Sequence, residues 1–420
     1  MRILIIHQNF PAQFRALARN LAADPGVSLA AIGKRGCPGL PGVRQLTYAI
    51  ERHPAAGTHH YAKPFESGIV YGQAVARLLL ELKGEGFVPD AVLAHPGWGE
   101  TLFVKDIFPR ARLVHFCEFY YHAQGADANF DPEFPLSLDA ALRVRTRNAL
   151  LLMGLEGCDA AVAPTAWQKS LHPPAYHGKI ALLHEGIDTA FMRADPLASF
   201  TLPDGKVVRA GDPVVTYVAR NLEPYRGFHI FMRALPQLLA RHPGCEVVIV
   251  GGDGVSYGSK PQGAASWRAR MLDELNLQSD RVHFLGRIPY GAYRSLLQVS
   301  AAHVYLTYPF VLSWSMLEAM ACGCALVASD TAPVREVIRH GENGWLVDFF
   351  DAHALASRIA AVLEAPAASH ALRLRAAATV RARYGLEDGV RQYRALLGLA
   401  GAPAGSTTLH SPGAPHGICC

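Results

Sequence analysis

Short, nearly continuous apolar runs alternate along this chain with longer stretches of helical period. In the first half the runs are ILIIH, VSLAAIG, AVLAH, RLVHFC, AAVAP and KIALLHE. Consecutive rather than alternate apolar positions predict parallel strands covered on both faces. AQFRALARNLAA and SGIVYGQAVARLLLELKG lie between them and predict helices. The alternation restarts with VVTYVAR, EVVIVGG, RVHFLG, AHVYLT, CALVAS and WLVDF, spaced by helices such as HIFMRALPQLLARH and HALASRIAAVLEA. Two such series predict an α/β chain of two Rossmann-like, doubly wound domains facing across a cleft. The turn-rich stretch SFTLPDGKVVRAGDP sets the expected boundaries: a first domain over 1–197, a hinge over 198–213 and a second domain over 214–383. A C-terminal helix over 384–398 can cross back to the first domain, and 399–420, rich in Gly, Pro and Ser, reads as a disordered tail.

Composition narrows the function classes. Of 420 residues, 50% are hydrophobic and 18% charged, with a formal net charge of +5. That excess is too small to argue for nucleic acid. It leaves room for weak peripheral contact with an anionic membrane surface, or for a phosphorylated ligand. No run of about 18 apolar residues is present to span a membrane. MRILIIHQNF lacks the long apolar region of a signal peptide. The eight cysteines are sparse, which suits reduced thiols and a cytoplasmic setting, with a place open at the inner face of the membrane. Cys322 and Cys324 flank one glycine without the second ligand pair that a zinc site needs. Cys419 and Cys420 read as an incidental end.

Doubly wound sheets bind ligands at the carboxyl ends of their strands, so functional residues are expected just after the apolar runs. VVTYVAR ends in Arg220, and Arg226 precedes the next helix. Guanidinium forks at a strand end and a helix start suit a diphosphate. In LSWSMLEAMACG, the amides of Ser313, Trp314 and Ser315 open a helix after a strand and can receive phosphate. Glu318 would accept from ribose hydroxyls there. Ser315-Met-Leu-Glu318 equally fits a capping box, in which Glu318 bonds back to the Ser315 amide. Gly252, in VVIVGGDG, permits close backbone approach to a ligand. That turn lacks the G-x-G-x-x-G spacing of a dinucleotide site.

The first half offers an acceptor side. His115, Glu118, Tyr120, Tyr121 and His122 crowd the end of RLVHFC, and His115 and Glu118 have acid/base capacity. His7 and Asn9 end the first strand beside the same expected cleft. RHPAAGTHHYAKPF reads as a loop without metal-ligand context. No Asp-x-Asp occurs to hold a divalent ion, so no metal site is expected.

The ordered set ARNLEPYRGFHIFMRAL, VVIVGGDG, RVHFLGRIPYGAYRSLL and LSWSMLEAMACGCALVASDTAPVREVIRHGENGWLVDFFD resembles the C-terminal domain of glycosyltransferase family 4 (group 1), of GT-B fold. The likeness runs over roughly Val214–Leu397. HQNFPAQF and CEFYYHAQGADANFDPEFP resemble a bacterial subgroup. The resemblance implies retaining transfer of a hexosyl group from a nucleoside diphosphate sugar, without metal or other cofactor. The acceptor would be a glycan or a lipid-linked molecule, in polysaccharide or cell-envelope biosynthesis. By position, Arg220 and Arg226 match the cation pair on the donor phosphates, and Ser313, Trp314 and Ser315 the backbone facing them. Arg287 and Ile288 match the stretch near the base. Glu318 matches the second Glu of the family's Glu-x7-Glu motif, on the ribose. Phe310 stands where the first Glu is expected, which keeps a non-catalytic nucleotide-sugar-binding partner as the alternative. An NAD-dependent oxidoreductase is disfavoured by the missing glycine fingerprint.

Overall fold

Buried apolar runs become the strands of two parallel sheets, one in each of two units. The computed structural model describes residues 1–399. One unit comprises Met1–Gly186 together with the chain from Leu386, and the other Ile187–Gly385. The first unit holds β1 (Arg2–Ile6), β2 (Ser28–Lys34), β3 (Arg44–Tyr48), β4 (Ala91–Ala94), β5 (Arg112–Phe116), β6 (Ala160–Ala163) and β7 (Ile180–Leu182). Their order is β3-β2-β1-β4-β5-β6-β7, all parallel. The order reverses direction between β1 and β4, so a crevice is expected past the carboxyl ends of those two strands. β3 has no counterpart among the expected strands. RQLTY is a partly exposed edge strand, and its polar side chains hide it from a search for apolar runs.

The second unit repeats the plan. β10 (Val214–Asn221), β11 (Glu246–Gly252), β12 (Val282–Gly286), β13 (Ala302–Tyr305), β14 (Ala325–Ser329) and β15 (Trp345–Val347) form a parallel sheet. Its order is β12-β11-β10-β13-β14-β15, with the switch between β10 and β13. Between the sheets in sequence lie β8 (Ser199–Thr201) and β9 (Val207–Arg209), an antiparallel pair. This pair corrects the expected hinge over 198–213. The turn Asp204-Gly205, with φ +89 at Gly205, joins two strands rather than two domains. Val208 is buried in the second unit's core and Phe200 packs against it. The division falls instead between Gly186 and Ile187.

The helix Leu386–Leu396 belongs to the first unit. Val390, Tyr393 and Leu397 enter its core beside Ile3, Phe14 and Leu93. Arg394, 2% exposed, donates to Asp24 Oδ2 at 2.6 Å and to Asn20 Oδ1 at 3.0 Å. Apart from Leu399, the expected disordered tail, with Cys419 and Cys420, lies outside the described residues. Among the described residues the cysteines are free thiols, and no helix is long and apolar enough to cross a membrane.

Candidate active site

In the second unit, Arg226 sits at the carboxyl ends of the strands flanking the switch. A 3-10 turn, Pro224–Arg226, carries it, and Gly227 follows at φ +68. A Cβ on Gly227 would lie 2.3 Å from Leu306 Cβ, so only glycine lets the turn press against the end of β13. Arg226 is 4% exposed. Its Nη1 donates to Thr307 Oγ1 (2.8 Å), Val311 O (3.0 Å) and Tyr305 Oη (3.3 Å). Its backbone carbonyl accepts from Tyr217 Oη at 2.7 Å. A guanidinium keeps its charge at any ordinary pH, so this is a fixed cation in a preformed orientation.

Phe310 packs against that cation. The Arg226 guanidinium carbon lies 5.9 Å from the Phe310 ring and 5.4 Å from the Tyr257 ring. Phe310 meets Tyr257 and Tyr225 edge-on. At this position the chain gives the cation aromatic faces where the family motif supplies an anion. Arg220 is half-buried and falls where the register of β10 on β11 slips, between Val218 and Asn221. Such an irregularity re-aims side chains at a strand end. Gly252 pairs with Asn221, and a Cβ there would approach Asn221 Oδ1 to 2.7 Å and Arg287 Nε to 3.1 Å. Arg287 is exposed and donates to Asn221 Oδ1 at 3.2 Å, while Ile288 packs on the core.

The helix Trp314–Ala321 is capped by Ser313, whose Oγ accepts from the Ser315 amide at 3.2 Å. The Ser313 amide donates to Tyr305 Oη at 2.9 Å. The capping box is therefore not formed: Glu318 turns away from Ser315. Its Oε1 accepts from Tyr290 Oη (2.6 Å) and its Oε2 from Tyr293 Oη (2.9 Å). Burial pushes this carboxyl above its usual range, and the two phenols offset part of that. A carboxylate has about four acceptor positions, so these bonds leave one on each oxygen.

Sequence reasoning missed Glu223. It is fully buried, and its carboxylate accepts from the amides of Ser256 (3.0 Å), Tyr257 (3.2 Å) and Gly258 (2.9 Å). It ties the loop after β11 to the turn that bears Arg226. Its signal was a lone acid inside an otherwise apolar and basic strand-end segment.

In the first unit, a cavity of about 350 Å³ opens at the ends of β4 and β5. Glu118 and Tyr121 line it, as do His95 and Trp98, which the sequence reading passed over. The signal for them was AVLAHPGWG, a polar residue closing an apolar run before a glycine turn. His95 is 6% exposed, and its Nδ1 accepts from the Gly97 amide at 3.1 Å. That bond leaves the proton on Nε2, which faces Glu118 Oε2 at 3.4 Å. Trp98 stacks on the His95 ring at 4.4 Å. The same local turn recurs at His7, whose Nδ1 accepts from the Asn9 amide at 3.0 Å. His7 lies edge-on behind His95 and Trp98, and burial holds its pKa well below the usual value. Asn9 is exposed.

His115 is corrected. It lies within β5 at 1% exposure, its ring against Gly154. Burial, with His95 nearby, pushes its pKa down to about 3. A neutral ring sealed in the core does not reach a substrate. Tyr120 and His122 also leave the cavity. Tyr120 packs near His122 and His172, and His122 Nε2 bonds the Leu171 carbonyl at 2.7 Å. Tyr121 faces the cavity, with the Arg147 guanidinium 3.9 Å above its ring. The loop before the helix Lys63–Gly84 is pinned: His60 and Tyr61 bond Asp139.

Two switch points on two doubly wound parallel sheets are the architecture of the GT-B fold, and solved structures of that fold superpose on this chain. A sucrose-phosphate synthase from Thermosynechococcus elongatus matches with a TM-score of 0.67 at 21% identity, covering 95% of this chain and 99% of that one. HepE from Anabaena, solved with UDP-glucose, matches with a TM-score of 0.65 at 18% identity, covering 95% and 99%. The model of the glycosyl transferase family 4 group matches residues 25–192, and that of the glycosyl transferases group 1 matches 202–381. The chain belongs to the family 4 glycosyltransferases. Among its relatives, a phosphatidyl-myo-inositol mannosyltransferase of Mycolicibacterium smegmatis is 31% identical over 188 residues, 43% of this chain and 42% of the relative. A D-inositol 3-phosphate glycosyltransferase of Mycolicibacterium paratuberculosis is 30% identical over 212 residues, 49% and 44% respectively. The chain thus spans less than half the length of these curated relatives.

Proposed function

We propose that the protein transfers a sugar from a nucleoside diphosphate sugar to a hydroxyl of a glycan or lipid-linked acceptor, with retention at the anomeric carbon and without a metal ion. The buried, oriented Arg226 at the switch of the second sheet carries this reading. The bond from the anomeric carbon to the diphosphate breaks, and negative charge grows on the leaving oxygens. A fixed cation and the positive end of the helix that starts at Ser313–Ser315 oppose that charge without reorganising. Arg220 adds a second cation, and Glu318 offers its remaining acceptor positions to the ribose. Arg287 and Ile288 flank the base. Glu118 is the acceptor-side group, contacting the hydroxyl that loses its proton as the new bond forms. A role in polysaccharide or cell-envelope synthesis, on the cytoplasmic side with weak peripheral membrane contact, accords with the family and the small basic excess.

Phe310 favours one second reading, a nucleotide-sugar-binding partner without turnover. Purified protein is incubated with UDP- and GDP-sugars, and nucleoside diphosphate release is followed in wild type, Arg226→Ala and Glu318→Ala. Release that depends on both residues supports the enzyme. Binding without release in wild type supports the partner. No binding of any nucleoside diphosphate sinks both.

A further inference from the structure

The cavity in the first unit mixes chemistry beyond what a neutral sugar needs. Its lining includes the half-buried Trp98 indole, stacked on His95, and the Glu118 carboxylate, whose Oε2 lies 3.4 Å from His95 Nε2. Its other charged lining groups are two guanidiniums, Arg52 and Arg147. Arg147 is held over the Tyr121 ring and donates to Tyr121 Oη at 3.1 Å, so its position is defined. Arg52 is exposed at the same cavity. Two guanidiniums against one carboxylate make the cavity lining net cationic. The carboxylate has the His95 ring within 3.4 Å.

The geometry points to an acidic sugar, one bearing a phosphate or a carboxylate, as the ligand of this cavity. Its ring lies on Trp98, its hydroxyls meet Glu118, and its anionic group takes Arg52 and Arg147. Planar guanidiniums recognise both kinds of anion by paired N–H donors, so the two sources share one chemistry. A volume of about 350 Å³ is at the small end of ligand pockets, which suits a single sugar with one substituent. This inference rests on the proposed function insofar as the ligand is the acceptor; the binding chemistry is separate from it.

The test uses the full chain and three probes: glucose 6-phosphate, glucuronate and glucose, with calorimetric titration of each. Both or either acidic probe should bind at least ~10-fold tighter than glucose, the effect of about one charge-assisted contact. Preference for glucose 6-phosphate assigns a phosphate, and preference for glucuronate a carboxylate. In the Arg52→Gln/Arg147→Gln variant the preference should shrink to within ~2-fold. Equal affinity for all three probes, binding by none, or a preference that survives the double substitution would overturn the inference. Nucleoside diphosphate binding is measured on the same samples. Its absence in wild type counts against the proposed function alone. Its retention in the double variant shows that any loss of acidic-sugar binding is local to the cavity.

Discussion

Arg226 owes its orientation to neighbours that are themselves constrained. Three acceptors at the end of β13 hold one guanidinium nitrogen, and the turn that carries the residue closes through Gly227. Arg226→Lys keeps the charge but loses the planar fork, so nucleoside diphosphate affinity should fall by ~10-fold or more while the fold survives; titration with UDP and GDP measures this. Gly227→Ala puts a Cβ against Leu306 in a left-handed backbone. It should cost ~1–3 kcal/mol in denaturant unfolding and weaken nucleotide binding with it. At Phe310 the two requirements part. Phe310→Glu would bring a carboxylate into an aromatic cluster beside Arg226. The expected outcome is a folded protein with altered donor preference in the release assay, because the cation meets an anion where it met a ring.

Among the elements, the strands were the most legible part of the sequence. Continuous apolar runs such as AVLAH and VVTYVAR predict strands buried on both faces, and both form such strands. RQLTY was illegible because an edge strand keeps polar side chains, and β8–β9 because its Asp-Gly turn has the composition of a linker. Of the residues proposed for the donor, Gly252 closes β11, and Arg226 and Ser313 lie in the segments that follow β10 and β13, the places the strand-end rule singles out. His115 misled for the opposite reason. It precedes the strand's end, where alternation says nothing about depth. Glu318 was readable as an acid on a helix, but its Tyr290 and Tyr293 partners come from a different helix, Tyr290–Val299, far outside any local motif. Glu223 acts on an element too, since it anchors the loop at Ser256–Gly258. Glu223→Gln sets an amide N–H₂ against backbone donors, at a cost of ~1–3 kcal/mol. Faster hydrogen exchange at Tyr257 and Gly258, with little change in the sheet, is the expected result.

For the molecule as a whole, buried neutral histidines set an acid limit. Burial lowers His115 and His303 to about 3, and His172 and His184 to about 4. Unfolded histidine titrates near 6.5, so below that pH the unfolded chain takes up protons the folded one refuses. Stability is therefore full above about pH 6.5 and is lost as pH falls toward 4, by up to ~1.4 kcal/mol per pH unit for each such group. Glu318 and Glu100, raised by burial, work in the opposite sense as they gain protons. Tm should drop across that window, and less steeply in His303→Gln. An unchanged slope in that variant would remove His303 from the account. The C-terminal helix has a consequence of another kind. The ribosome delivers Val390, Tyr393 and Leu397 only after residues 187–385 have been made, a wait of roughly 10–40 s at ordinary elongation rates. Throughout that interval the nascent first unit has an apolar vacancy beside Ile3 and Phe14, open to chaperones and to aggregation, and a chain released before Leu386 never fills it.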